Sequence, residues 1–174
     1  ARRRIKSRIS VVGGLKSLHR RLLGIDDPSD ATESWVVDDI SMGGMGAQIS
    51  TVGRDWARIG AFLAMQPEGG SNWLVGIIRR YSRESESVGA VGIETISKTP
   101  RAVVADSGGL QTEVILLDPL VDGDSARLLM ATTAWEEDLP LLLRVDGQTA
   151  KLSPQGVVET NAECTVGRYS VRTT

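Results

Sequence analysis

The sequence has very few of the residues that build disulfides and metal sites. Its 174 residues include one cysteine, Cys164, and one histidine, His19. A single cysteine cannot form an intrachain disulfide, and the two residues together offer too few ligands for a zinc site. The low cysteine content is typical of a reducing compartment, so we expect a cytoplasmic protein. Cys164 lies in an alternating run, which favours a small buried hydrophobe over a nucleophile.

Aromatic residues and long apolar runs are also scarce. Aromatics make up 4% of the chain, and its four tryptophans are expected in the core rather than on a surface that stacks bases. No run approaches the ~20 apolar residues of a membrane-spanning helix. The chain starts at Ala1 without a signal-peptide pattern, which indicates a processed chain or a piece of a longer protein.

The sequence carries no recognisable catalytic set. It has no P-loop, no dinucleotide-binding fingerprint and no metal motif. His19 has no evident nucleophile as a partner, and no acid and base are paired. We therefore expect neither an enzyme nor a bound cofactor.

Charge is unevenly distributed along the chain. The first 21 residues hold eight Lys or Arg and no acid, which leaves 12 basic against 22 acidic residues in the remainder. A basic arm on an acidic body can attract a small polyanion, whereas the acidic body would repel duplex nucleic acid. A solvated arm that only aids solubility is the alternative that charge alone leaves open.

The remaining pattern predicts an all-β protein. Short apolar or β-branched runs alternate with glycine-rich and acidic turns, which is typical of small barrels. Residues 18–23 fit either a helical face or a strand, and Val145-Asp146-Gly147-Gln148 predicts a hairpin turn. A break near residue 100 separates a first domain, 1–100, from a second, 101–174, without an exact repeat between them. Five of the predicted strands are Trp35–Ile40, Gly46–Val52, Ile59–Met65, Thr149–Leu152 and Gly156–Thr160.

Two clusters are candidates for a binding site. The first is the run Arg2-Arg3-Arg4-Ile5-Lys6-Ser7-Arg8, because the planar fork of arginine pairs with phosphate oxygens and with the O6 and N7 edge of guanine. The second is the run Asp39-Ile40-Ser41-Met42-Gly43-Gly44-Met45-Gly46, in which Asp39 can accept from guanine and Ser41 can donate to phosphate. Taken alone, the second run favours an ordinary β-turn over a ligand site.

Together, Arg-x-x-x-Arg at Arg4–Arg8 and Asp-x-Ser-x-x-Gly at Asp39–Gly44 resemble the PilZ domain family. Gly76–Arg80 and Val88–Glu94 are similar to the last barrel strands of that family, and the resemblance covers roughly residues 2–97. It implies a six-stranded β-barrel that binds cyclic di-GMP. Residues 101–174 are expected to form a second small β domain, for which another barrel is one form.

The resemblance also implies roles for individual residues. Arg4 and Arg8, on a loop before the barrel, would hold phosphates and guanine edges, while Asp39 and Ser41 would contact guanine or phosphate. Gly43 and Gly44 would give backbone clearance. Arg3 occupies the position that influences whether one ligand or a stacked pair binds, and a stacked pair is our prediction. Arg80, beside Arg79, is a weaker candidate, since charges on exposed strands are common. The spacer of 30 residues between Arg8 and Asp39 is long for the family and has room for an extra strand or helix.

Three functions remain open on the sequence. The leading one is a cyclic di-GMP receptor that changes its contacts with a protein partner, or with the rest of a longer chain, when ligand orders the basic arm. The second is a PilZ-like module that binds protein and no longer binds nucleotide. The third is a barrel that binds single-stranded nucleic acid through its basic arm, which the low aromatic content disfavours.

Overall fold

Alternating apolar residues form twelve strands in a computed structural model that describes residues 3–51 and 55–174, with backbone alone for residues 3–6. The chain divides into two units, Ala1–Lys98 and Thr99–Thr174. The strands are β1 (Arg3–Gly13), β2 (Glu33–Ser41), β3 (Gly44–Ser50), β4 (Phe62–Pro67), β5 (Leu74–Arg83), β6 (Val88–Ser97), β7 (Arg101–Ser107), β8 (Leu110–Leu116), β9 (Ser125–Ala131), β10 (Leu141–Val145), β11 (Gln148–Thr160) and β12 (Cys164–Thr173). Helix α1 spans Leu15–Leu22, and a 3₁₀ turn spans Thr132–Ala134.

The first unit is a closed antiparallel barrel with the strand order β1-β2-β3-β6-β5-β4. Strand β1 closes it by pairing with β2 on one side and with β4 on the other. Alternate residues of the strands point inward and bury a core. The core members include Ile9, Val11, Trp35, Val37, Met45, Ile49, Leu63, Met65, Ile78, Val91 and Ile93.

Helix α1 and the loop after it occupy the spacer between the two sequence motifs. Gly14, with φ of 92°, turns the chain from β1 into the helix. An ion pair secures the loop, because Arg20 Nε donates to Asp30 Oδ2 at 2.7 Å and Ser17 Oγ donates to the other carboxylate oxygen at 2.6 Å. The Asp30 side chain is buried, and these hydrogen bonds, chiefly from Arg20, lower its pKa to about 2.

The second unit is also a closed antiparallel barrel, with the strand order β7-β8-β9-β12-β11-β10. This is the order of the first barrel with every number raised by six, so both units have one topology that no sequence repeat reveals. Its core includes Leu116, Leu128, Met130, Leu143, Leu152, Tyr169 and Val171. Cys164 is buried there, and burial raises the pKa of its thiol to about 11.

Tryptophans pack on glycines in both barrels. A Cβ at Gly13 would lie 2.5 Å from the ring of Trp56, and one at Gly167 would lie 2.3 Å from the ring of Trp135. Trp56 also stacks on the buried Trp35, with centroids 5.7 Å apart. These three tryptophans are therefore core residues, whereas Trp73 lies under the guanidinium of Arg21 at 5.5 Å.

The all-β prediction of a six-stranded barrel followed by a second β domain is confirmed, and the second domain is itself a barrel. The hairpin at 145–148 is confirmed too, with φ of 53° at Asp146 and 77° at Gly147. The ambiguous segment 18–23 belongs largely to helix α1. In the described residues no helix has the length and apolar character needed to cross a membrane.

Several predicted boundaries were wrong. The basic segment is not an arm on a loop, because residues 3–13 form β1 and the buried Ile9 and Val11 anchor it between two strands. The strand predicted at 59–65 starts at Phe62, since Gly60 with φ of 92° makes a turn first. The segments 149–152 and 156–160 are one strand, β11, which passes Pro154 with a bulge. The end of the strand predicted at 46–52 and the residue Arg2 lie outside the described residues.

Candidate functional site

The strongest candidate site is a row of five residues that crosses five neighbouring strands of the first barrel. Arg4 on β1 pairs with Asp39 on β2, and Asp39 pairs with Gly46 on β3. Gly46 pairs with Gly92 on β6, which in turn pairs with Arg80 on β5. We call these residues the cross-strand row. At about 4.8 Å per strand, it spans on the order of 19 Å of the barrel surface.

β-Bulges lie on both sides of the two central glycines. The register of β2 shifts between Val37 and Asp39, and the register of β5 shifts between Ile78 and Arg80. A bulge places two successive residues opposite one partner residue and re-aims their side chains. Both Asp38 and Asp39 therefore line the outer surface, and Arg80 follows Arg79 onto it.

The two glycines of the row leave the space in which its polar side chains lie. The backbone N–H of Gly46 donates to Asp39 Oδ1 at 3.1 Å, which holds the carboxylate across β3. A Cβ at Gly46 would lie 3.0 Å from that oxygen. At Gly92 a Cβ would lie 2.7 Å from Arg80 Nε, 3.0 Å from Nη2 and 3.2 Å from Cζ. The Arg80 guanidinium therefore rests on the bare backbone of Gly92.

Two adjoining hollows run along the row. The larger, of about 530 Å³, contains Asp38, Asp39, Glu84, Arg80 and Ser82 in its lining. The smaller, of about 200 Å³, lies at the β2–β3 turn and contains Ser41, Gly43 and Gly44. Both hollows include Arg80 and Gly92, so Arg80 stands between them. Together they form the groove.

The described residues of the groove carry more negative than positive charge. Asp38, Asp39 and Glu84 line the larger hollow with a single cation, Arg80. In the smaller hollow Arg79 Nε donates to Glu94 Oε1 at 2.7 Å, so that cation is paired. A dianion bound in this groove needs the positive charge of β1 beside it. The N–H groups of a nucleobase, by contrast, can donate hydrogen bonds to the carboxylates.

The residues that the sequence predicted are only partly brought together. Arg4 lies opposite Asp39 by backbone pairing, and Arg3 lies opposite Ile40, while the side chains of both arginines are outside the described residues. Arg8 pairs with Val36, about 10 Å along β2 from Asp39. Its guanidinium points farther away, because Nη1 donates to Ser34 Oγ at 3.2 Å.

The serine and glycines of the second motif also shape the turn itself. Ser41 Oγ donates to the carbonyl of Gly44 at 3.3 Å. A Cβ at Gly44 would lie 2.0 Å from the carbonyl oxygen of Ile93, so the clearance at Gly44 admits strand β6. A Cβ at Gly43 would meet nothing within 4 Å. Of Gly43 and Gly44, it is therefore Gly43 that leaves open space on the side of the groove.

Sequence reasoning missed Asp38, Glu84 and the floor of the groove. The floor residues share small size and outward direction, as Ala90 and Gly92 alternate on β6 and Gly46 faces them from β3. Small residues two apart on a strand are the signal that could have revealed a flat outer surface. The bulge that exposes Asp38 depends on the register of its partner strand, which one segment of sequence does not disclose.

The second barrel has a hollow of about 430 Å³ between the loop that joins β8 to β9 and the strands β9 and β12. Its Arg127 donates from Nε and Nη2 to the two carboxylate oxygens of Asp118, both at 2.8 Å. These bonds lower the pKa of Asp118. Because the pair satisfies much of its own charge, the groove of the first barrel is the better candidate. Among the described residues no cluster of His, Cys, Asp and Glu is placed to hold a metal ion.

Comparison with solved structures gives a weak match at low sequence identity. No family profile and no curated protein matches the chain. The crystal structure of the Borreliella burgdorferi PlzA protein in complex with c-di-GMP is 8% identical, with a TM-score of 0.39. The match covers 97% of this chain and 86% of that chain. A likeness of this extent assigns neither a family nor a ligand to this chain.

Proposed function

We propose that this chain is a PilZ-like receptor for cyclic di-GMP and that it does no chemistry on its ligand. The observation that carries the proposal is the cross-strand row. Two motifs separated by a spacer of 30 residues meet in it, because Arg4 pairs directly with Asp39. A helix and its loop occupy the spacer, so the length of the spacer does not keep the motifs apart.

The chemistry of the row matches the ligand. Cyclic di-GMP offers two phosphates, which arginines bind through charge-assisted hydrogen bonds, and two guanine edges, which donate N–H groups to carboxylates. Arg4 and Arg8 on β1 would bind the phosphates. Arg3 would influence whether a second ligand molecule binds as part of a stacked pair. Asp39 and Ser41 would meet guanine or phosphate, and Gly43 would leave clearance at the turn.

Since residues 3–13 form a strand, the switch we propose is a movement of side chains rather than the ordering of an arm. Arg8 would leave Ser34 and turn toward the groove when ligand arrives. The change would be read by a protein partner or by further parts of a longer chain.

Calorimetric titration with cyclic di-GMP tests the proposal, beside GTP and cyclic di-AMP. We expect binding of cyclic di-GMP alone, and a loss of about 30-fold or more in affinity for Arg4→Ala and for Arg8→Ala, equivalent to about 2 kcal/mol. Arg83→Ala is the matched control, since Arg83 lies on β5 and donates to the carbonyls of Ser85 and Glu86. Unchanged affinity in both motif variants would remove them from the site.

A second candidate function is a barrel of this kind that binds protein and no longer binds nucleotide. The excess of carboxylates in the groove and the engagement of Arg8 with Ser34 favour it. A thermal-shift experiment separates the two functions, since a ligand that binds only the folded state raises its melting temperature. No shift at saturating cyclic di-GMP would favour the second candidate.

A further inference from the structure

Five of the six basic residues of the second unit lie on four adjacent strands of its barrel. Thr99–Thr174 holds 11 acidic and six basic residues. The sixth basic residue, Arg101, lies on β7 and donates to Asp146. The other five point outward, because residues that alternate with them, such as Ala150 and Tyr169, are buried in the core. They are Arg127 on β9, Arg168 and Arg172 on β12, Lys151 on β11 and Arg144 on β10.

The middle of this surface is formed by the two longest paired strands of the unit, β11 and β12. Two serines occupy its centre, since Ser170 lies between the two arginines of β12. Strand pairing sets the partners, which are Arg168 opposite Gly156, Ser170 opposite Ser153 and Arg172 opposite Lys151. We call the residues Arg168, Ser170, Arg172, Lys151 and Ser153 the basic face. At about 3.4 Å per residue, the face extends over about 14 Å along β12.

The charges of the basic face are open to a partner. In the part of the chain that the structure describes, Arg168, Arg172 and Lys151 form no ion pair within 4 Å, and all three are exposed. The only carboxylate near Arg168 that already binds a neighbour is Asp118, which accepts from Arg127.

The hydroxyl groups at the centre are also available. Neither Ser153 nor Ser170 makes a side-chain hydrogen bond to another described residue, although Ser125, which pairs with Ser170 from β9, donates to Gln155. Arginine, lysine and serine together offer charge-assisted and neutral donors to carboxylate oxygens. The half-exposed Leu142, which pairs with Lys151 from β10, adds an apolar contact at the margin.

The size and composition of the basic face favour a protein segment over other anions. None of its five residues is aromatic, whereas proteins that bind single-stranded nucleic acid stack bases on aromatic rings. A duplex or a membrane extends well beyond the face and would meet the 11 acidic residues of the unit. A short acidic peptide covers the face and little else.

We propose that the basic face binds an acidic segment of a protein partner, with at least three Asp or Glu side chains over a length of about 14 Å. Arg168 at one end and Arg172 with Lys151 at the other bind carboxylates, and Ser170 and Ser153 donate to a carboxylate between them. The proposal goes beyond the receptor function, because it concerns the second barrel and requires no nucleotide.

Fluorescence anisotropy of labelled poly-L-glutamate tests the proposal without nucleotide and at low salt, where screening is weak. The double variant Lys151→Gln with Arg172→Gln removes two charges and keeps much of each side chain, so we expect about a tenfold loss of affinity. Ser170→Ala leaves the net charge unchanged and should lose about threefold. Arg83→Gln with Arg101→Gln is the matched control, since it removes two charges outside the basic face, and it should bind within about twofold of the unmodified chain.

Two results would overturn the basic face as a binding surface. One is no binding of poly-L-glutamate by the unmodified chain, and the other is unchanged affinity in a double variant whose melting temperature shows that it is folded. Tighter binding of oligo-dT, or of vesicles that contain phosphatidylglycerol, would refute a protein segment as the occupant if that binding is lost in the double variant. The double variant should bind cyclic di-GMP as the unmodified chain does, because the groove belongs to the first barrel.

Discussion

Single glycines decide where the charged groups of the groove lie. Gly46 holds Asp39 through its backbone N–H, and the missing side chain of Gly92 leaves room for the guanidinium of Arg80. At Gly44 the missing side chain instead makes room for the backbone of β6. Glycine in a binding motif thus has different physical reasons at different positions, and only the partner strands reveal which one applies.

The exposed hydrogen bond from Arg8 to Ser34 competes with any ligand for the arginine. Removing the acceptor by Ser34→Ala should therefore leave cyclic di-GMP affinity unchanged or raise it by up to about fivefold, because one such bond contributes about 1 kcal/mol or less. Titration of the variant beside the unmodified chain measures this. A clear loss of affinity would show that Ser34 holds Arg8 in its binding orientation.

The carboxyl group of Asp30 makes the stability of the first barrel depend on pH. Its pKa in the folded chain, about 2, is below the ordinary value of 3.8 because Arg20 and Ser17 donate to it. A lowered folded-state pKa stabilises the protein above the unfolded value, and that contribution is lost as the pH falls from about 4 to about 2.

The variant Asp30→Asn isolates this effect. Its melting temperature should be below that of the unmodified chain at pH 7, and the difference should shrink between pH 4 and pH 2. Asp26→Asn is the control, since the side chain of Asp26 is 90% exposed and its contact with Arg21 is 3.5 Å long. A difference that stays constant down to pH 2 would contradict the assignment.

At the scale of strands, bulges position the site more than the hairpins do. Strands β1, β2 and β5 each change register near the cross-strand row. A regular β2 would turn one of Asp38 and Asp39 inward, because successive residues of a strand point to opposite faces. The bulge in β2 is therefore the reason why both Asp38 and Asp39 line the groove.

Strand β3 can approach β6 at the groove only because residue 44 has no side chain. The variant Gly44→Ala places a methyl group against the Ile93 carbonyl and should lower the free energy of unfolding by about 3 kcal/mol. Neither Gly43 nor Gly44 has a positive φ, so backbone strain does not confuse the comparison. Gly43→Ala, with open space around it, should change stability by less than about 0.5 kcal/mol.

Urea denaturation of both variants measures the difference. Equal stabilities would mean that β3 and β6 part easily at this end of the barrel. The groove at this end of the barrel would then be deformable.

The sequence predicted the strand content and the barrel of the first unit because alternation and turn residues are local signals. It predicted Asp39 from a motif, but not Asp38, because exposure of that side chain depends on the register with β3. The expected position of Arg8 on a loop was wrong for a related reason. A basic run at a chain terminus indicates a solvated arm, whereas the apolar residues Ile9 and Val11 behind it draw the whole segment into the sheet.

At the scale of the molecule, one strand order occurs twice without a repeat in the sequence. The two cores use different residues, with Trp35 and Ile78 in the first and Leu128 and Tyr169 in the second. The two barrels therefore share one topology although their core residues differ. A hollow also occurs in each unit beside the third and sixth strands of its own barrel, but its charges are arranged differently.

Closure of both sheets has a further consequence for how such a protein is recognised. Among the described residues each strand pairs with a neighbour on both sides, so no whole strand is left as a free edge to which another polypeptide could be added. The protein partner that we propose would therefore contact mainly side chains. Met42, at the tip of the β2–β3 turn beside the groove, has 94% of its surface exposed and is open to such a contact.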